Sequence, residues 1–235
     1  MKFQKYMAVG ILGLTMALGF SGCQSENQKN QDAYRKIGIN SMAEGDYDKA
    51  VKSFQKALDT SLGKIGAEEI DICYYKAAAQ FAKKDYDGAI ETYTSLIDYD
   101  KENANAYYLR GSVYLDTDKK DKAFKDYKNA VKYAGREYEI YEGIYENLTN
   151  KGETEEAKNY LKKALDIKPK DGADYAEQGH VYYLLEDYTQ AKSSLDRAID
   201  KDDKTALLYL AEVYNATDQQ EQGLSLIHIS EPTRL

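Results

Sequence analysis

An all-α solenoid of stacked helix hairpins is the fold this sequence predicts, on three observations. A small residue recurs at Ala89, Ala123, Ala157 and Ala191 in steps of 34 residues, with Ala50 standing 39 residues before the first of them. The 235 residues include only two prolines and 16 glycines, too few breakers for a chain rich in loops. Apolar side chains fall at helical spacing, most plainly between Ala104 and Tyr133. There Tyr107, Gly111 and Tyr114 share one helix face, Ala123, Tyr127 and Ala130 share a second, and the link from Asp116 to Asp121 is polar.

Taken in order, the chain opens with Lys2 and Lys5, an apolar run from Met7 to Phe20, and then Ser21-Gly22-Cys23. That order of basic, apolar and small residues is an export signal. Small residues directly before a cysteine resemble the lipobox of bacterial lipoproteins, with Phe20 where leucine is most usual. The resemblance implies a signal peptide over residues 1–22, diacylation of Cys23, cleavage before it, and a protein held on the bacterial membrane facing outside the cytoplasm. Residues 23–31, with no apolar side chain after the cysteine, are expected to be a solvated tether.

The repeats follow over residues 32–223. Helix pairs are predicted at Asp32 to Glu44 with Tyr47 to Asp59, Glu69 to Lys83 with Tyr86 to Tyr99, and Ala104 to Thr117 with Lys120 to Tyr133. Two more run from Tyr138 to Asn150 with Thr154 to Ile167 and from Gly172 to Leu185 with Tyr188 to Asp200, where Lys168-Pro169 ends the fourth pair. Lys204 to Ala216 stands alone as the first half of a sixth, and an unpaired helix there is expected to expose Leu207, Leu210 and Tyr214. The segment Thr60 to Ala67 carries the five extra residues of the first spacing and, with its two glycines, reads as a surface loop or an extended helix end.

Small first-helix slots hold Gly38, Ala77, Gly111, Tyr145 and Gly179, and second-helix contact slots hold Phe54, Tyr93, Tyr127, Leu161 and Leu195. This pattern is similar to the tetratricopeptide repeat (TPR) family. The resemblance implies a right-handed superhelical solenoid of five full helix pairs and a truncated sixth.

At the C-terminus, Leu224 to Arg234 reads LSLIHISEPTR, which matches the in-frame translation of a transposase sequencing adapter. Residues 224–235 are therefore expected to be foreign to the native protein. Without the signal the formal net charge moves from −8 to about −10, which suits solubility and excludes a nucleic-acid binder.

Catalysis by the common routes lacks parts. His180 is the one histidine outside the adapter match, and Cys73 occupies an apolar slot of a first helix. No cluster has metal-ligand spacing and no glycine-rich phosphate loop is present, so no cofactor or metal is expected and the chain is read as a non-enzyme.

In TPR arrays the exposed side of each first helix lines a concave groove, and the matching places give two textures. Tyr74 and Phe81, then Tyr108, Ser112 and Leu115, offer a partly apolar, aromatic surface suited to a peptide or partner helix. Glu139, Glu142 and Glu146 form an acidic stripe, with His180 and Tyr183 one repeat on. That stripe reads either as a solvated face or as a site for a Lys- or Arg-bearing segment. A clamp for a C-terminal carboxylate is excluded, since Tyr74, Tyr108 and Glu142 replace its lysines and Ala78, Ser112 and Glu146 its asparagines. The expectation is a lipid-anchored scaffold binding a protein or peptide at the cell envelope. A solute- or glycan-binding lipoprotein and a non-catalytic subunit of an envelope enzyme complex are the alternatives.

Overall fold

The computed structural model describes residues 26–61, 63, 65–217 and 219. The expected signal peptide, Cys23 and the adapter-like tail lie outside the described residues. Within them are eleven helices and no strand. They are α1 (Glu26–Ala43), α2 (Tyr47–Thr60), α3 (Ala67–Ala82), α4 (Tyr86–Tyr99), α5 (Ala104–Asp116) and α6 (Lys120–Tyr133), followed by α7 (Tyr138–Asn150), α8 (Thr154–Ala164), α9 (Gly172–Leu184), α10 (Tyr188–Ile199) and α11 (Thr205–Ala216). None of these helices is long and apolar enough to cross a membrane.

The helices divide into two compact units, one ending at Ala134 and the other beginning at Gly135. In the first unit, α1 to α6, each helix packs on the next, making three successive hairpins. The close approach has a direct cause in the small slots. A Cβ built on Gly38 would stand 2.5 Å from Phe54, and one on Gly111 2.8 Å from the Tyr127 ring, so any larger residue would push the paired helix away. Phe54 and Tyr127 are fully buried as a result. An ion pair stitches the third hairpin to its predecessor: Arg110 donates to both oxygens of Asp126 at 2.7 and 2.9 Å and to Thr94 of α4 at 2.9 Å.

One feature of this unit departs from the sequence reading. Residues 26–31, expected as tether, are the first turns of α1. Gln31 is buried and donates its amide to Glu69 at 2.6 Å, and Arg35 pairs with Asp71, so the start of α1 is fixed to α3 by polar contacts that an apolar count does not register. Ahead of α3 the Gly66 N–H is accepted by Glu69 at 2.8 Å.

In the second unit α7 pairs with α8 and α9 with α10, while α11 packs on both α10 and α9. Gly179 again admits its partner closely, a Cβ there lying 2.6 Å from Leu195. Leu210, expected to be exposed, is buried with Val213 against Ala176, Leu195 and Ala198, and Tyr214 packs beside them. Leu207 is half-buried as well. The exposed large apolar residue of α11 is Leu208, at 53%.

Turns between paired helices share one device. Gly45, Lys84, Asp118, Gly152 and Glu186 hold equivalent places, each with positive φ, and terminate the preceding helix in the left-handed conformation. Around Lys84 the backbone N–H of Asp85 returns to the Gln80 carbonyl at 2.8 Å, closing the helix end. The next helix is then capped by Asp46, Asp85 or Asp187, each carboxylate accepting a backbone N–H three residues on.

Candidate functional site

The aromatic half of the expected groove is core. Tyr108, Ser112 and Leu115 are buried, at 9%, 2% and 3% exposure. Ser112 donates to the Tyr108 carbonyl at 2.9 Å and faces the Tyr127 hydroxyl at 3.3 Å. Tyr74 gives its hydroxyl to Asn103, the N-cap of α5, at 2.6 Å, and packs near Tyr93. Phe81 meets Tyr86 edge to face with ring centres 5.5 Å apart. Tyr74 spans to the next hairpin, while Phe81 and Tyr108 pack on the second helix of their own pair, so the surface expected there is consumed by packing.

The acidic half is different. Glu139 and Glu142 rise from α7, Glu177 and His180 from one face of α9, and Tyr209 and Glu212 from one face of α11. These three are the first helices of successive pairs in one unit, and they bring the groups together. His180 Nδ1 lies 2.9 Å from Glu142 Oε1, with both side chains less than a fifth exposed. The imidazole stacks on Tyr209 with ring centres 4.4 Å apart and lies near-parallel to Tyr183 at 6.1 Å. Glu146 is half-buried, while Glu139 and Glu212 are exposed and form the rim.

Charge is strongly unbalanced here. Burial, and then the carboxylates of Glu142 and Glu139, push Glu177 up to about 7, with His180 opposing them. For His180 burial works against the imidazolium, but the Glu142 hydrogen bond and the charges of Glu142, Glu177 and Glu212 outweigh it and raise its pKa. Tyr209 is raised by burial and by the same carboxylates, so its hydroxyl stays protonated.

The sequence reading placed Glu139, Glu142, Glu146, His180 and Tyr183 on this side and missed Glu177 and Tyr209. It also found no metal-ligating cluster. Folding brings together what no spacing shows: one possible ligand atom each from Glu142, Glu177 and His180 fall within 4.8 Å of one another, from helices too far apart in sequence for a spacing motif. Glu177 three residues before His180 was the available signal. Cys73 is half-buried against the core of the first unit, its thiol pushed up by burial, as a packing residue would be.

Stacked hairpins with small residues at most crossings and a left-handed residue at each turn between paired helices define a class of repeat protein, and comparison identifies the family. A model described as TPR repeat matches residues 77–118, and one described as tetratricopeptide repeat matches 32–61, 104–136, 146–171 and 175–204. Together they cover more than half of the chain, which belongs to the tetratricopeptide repeat family. Anaphase-promoting complex subunit 3 of Schizosaccharomyces pombe is 21% identical over 80% of this chain and 33% of its own length. Human tetratricopeptide repeat protein 13 is 27% identical over 60% of this chain and 17% of its own. The chain thus spans a third or less of these curated relatives. A tetratricopeptide repeat protein from Parabacteroides merdae has a similar fold, with a TM-score of 0.51 at 16% identity, covering 89% of this chain and 81% of that one. Repeats of this family make protein-interaction scaffolds, and this chain is of that kind.

Proposed function

We propose that this protein is a lipid-anchored, extracytoplasmic scaffold without catalysis of its own, which binds a basic segment of a protein partner on the acidic face of its second unit. The observation that carries the reading is the convergence of Glu139, Glu142, Glu177 and Glu212 from α7, α9 and α11 around His180. A Lys or Arg side chain entering there meets several carboxylates, and Tyr209 offers an aromatic face for the cation. The membrane location rests on the order of Lys2, Lys5, the apolar run and Ser21-Gly22-Cys23. By its name, the relative in the anaphase-promoting complex is also a subunit of an assembly.

Two experiments test this. Cys23→Ser is expected to move the protein from the membrane fraction to the soluble one, and unchanged membrane association would remove the anchor. Reversing the rim with Glu139→Lys, Glu146→Lys and Glu212→Lys is expected to abolish the partner recovered by crosslinking in intact cells. An unaffected partner at low salt would place the contact elsewhere. A solute or glycan ligand remains the second reading, favoured by the stacked His180, Tyr209 and Tyr183 rings; a thermal shift with a small solute and no protein adduct would support it.

A further inference from the structure

We infer that Glu142, Glu177 and His180 form a site for a divalent first-row metal ion that takes imidazole and carboxylate ligands, such as zinc or cobalt. Their ligand atoms already lie within 4.8 Å of one another. Around a zinc ion with bonds near 2.0–2.2 Å, ligand atoms stand about 3–4 Å apart, so small side-chain rotations suffice to close the set. The backbone beneath is helical at every point, α9 supplying two ligands on one face and α7 the third. Stacking on Tyr209 holds the imidazole plane, and Nδ1, which faces Glu142, is the nitrogen turned toward the cluster.

A separate observation points to a ligand in the same place. Tyr138 is 2% exposed, and its hydroxyl has no hydrogen-bond partner among the described residues. It lies one helical turn before Glu142 on α7, and the Glu177 carboxylate acts on it electrostatically. Glu142, Glu177 and Glu212 act together on one imidazole, and that excess of carboxylates and an orphaned buried hydroxyl are costly unless something answers them. A metal ion with three protein ligands and a bound water answers both: the ion neutralises the carboxylates, and the water gives the hydroxyl a partner. The site shares Glu142 and Glu177 with the proposed face for a basic segment, so an ion and a cationic side chain would compete for those two carboxylates, whereas Glu139, Glu146 and Glu212, used to test that reading, are outside the ligand set.

Titration calorimetry of Zn²⁺ and Co²⁺ into the metal-free, untagged full chain decides it, run in a Cys23→Ser, Cys73→Ser background so that thiols contribute nothing. A single ion per chain is expected, with cobalt absorption showing mixed nitrogen and oxygen ligation. Glu177→Gln and His180→Gln should each weaken binding about tenfold or more, since even outer groups of metal sites have effects of that size. Glu142→Gln, which preserves shape, repeats the test should a His180 variant melt early. No binding by the parent, or equal affinity in all three variants, would overturn the site.

Discussion

At the scale of single residues, most charged side chains of this protein are solvated, and those that are not divide into structural and unbalanced groups. Arg110 and Asp126 are structural: the pair is almost fully buried and doubly hydrogen-bonded, so removing one member leaves the other charge without its partner. Asp126→Ala is expected to destabilise the first unit by about 3 kcal/mol, measured by urea unfolding. A loss within experimental error would mean that the guanidinium finds water. Glu68 is unbalanced. Burial, a hydrogen bond with Asp32 and the charges of Asp32 and Glu69 push its carboxyl from an ordinary 4.5 to about 7. A raised carboxyl pKa favours the folded state in acid, and that contribution is lost as pH rises through the folded value. Glu68→Gln should therefore be more stable than the parent at pH 8, and the difference should vanish below pH 4.5. A constant difference across that range would exclude the titration.

The helices follow local rules, which is why they were legible. Recurrence of Ala50, Ala89, Ala123, Ala157 and Ala191 located every hairpin, and all five are fully buried. Aspartate opens α2, α4 and α10 as a side-chain cap, whereas Lys119 and Glu153 hold that place before α6 and α8 without making the bond. Lys119 has nearly the backbone angles of Asp85, so Lys119→Asp should cap α6 and stabilise the protein by about 1 kcal/mol in thermal unfolding. The weak, exposed ion pair of Lys119 with Asp87 is little to lose. An unchanged or lower melting temperature would show that the cap does not form.

Legibility ended at rotations of a single residue. Each step around a helix is about 100°, so a slot copied from one repeat to the next selects the wrong neighbour when a helix turns slightly. Ala176 is buried and Leu208 is 53% exposed, while the cluster is built from the adjacent Glu177 and Tyr209. The same pattern cannot separate an aromatic residue that faces solvent from one that packs on the second helix of its own hairpin, and Tyr108, buried beside Tyr127, does the latter.

For the molecule as a whole, a net charge of −8 is not spread evenly in effect. The first unit spends its aromatic side chains on packing within and between hairpins, and the second gathers carboxylates around one histidine on the faces of α7, α9 and α11. The two units therefore differ in what they offer a partner. Site-directed photocrosslinking in the native cell tests this most directly, with a photoreactive residue placed in turn at Glu139, Glu146 and Glu212 and, in the first unit, at Ile37 and Tyr99, which are 41% and 54% exposed. The predicted result is one protein adduct from the three acidic positions, mapping to a Lys- or Arg-rich peptide and lost on charge reversal of their neighbours. An adduct confined to Ile37 or Tyr99, or none from the acidic positions, would contradict the assignment of the binding face.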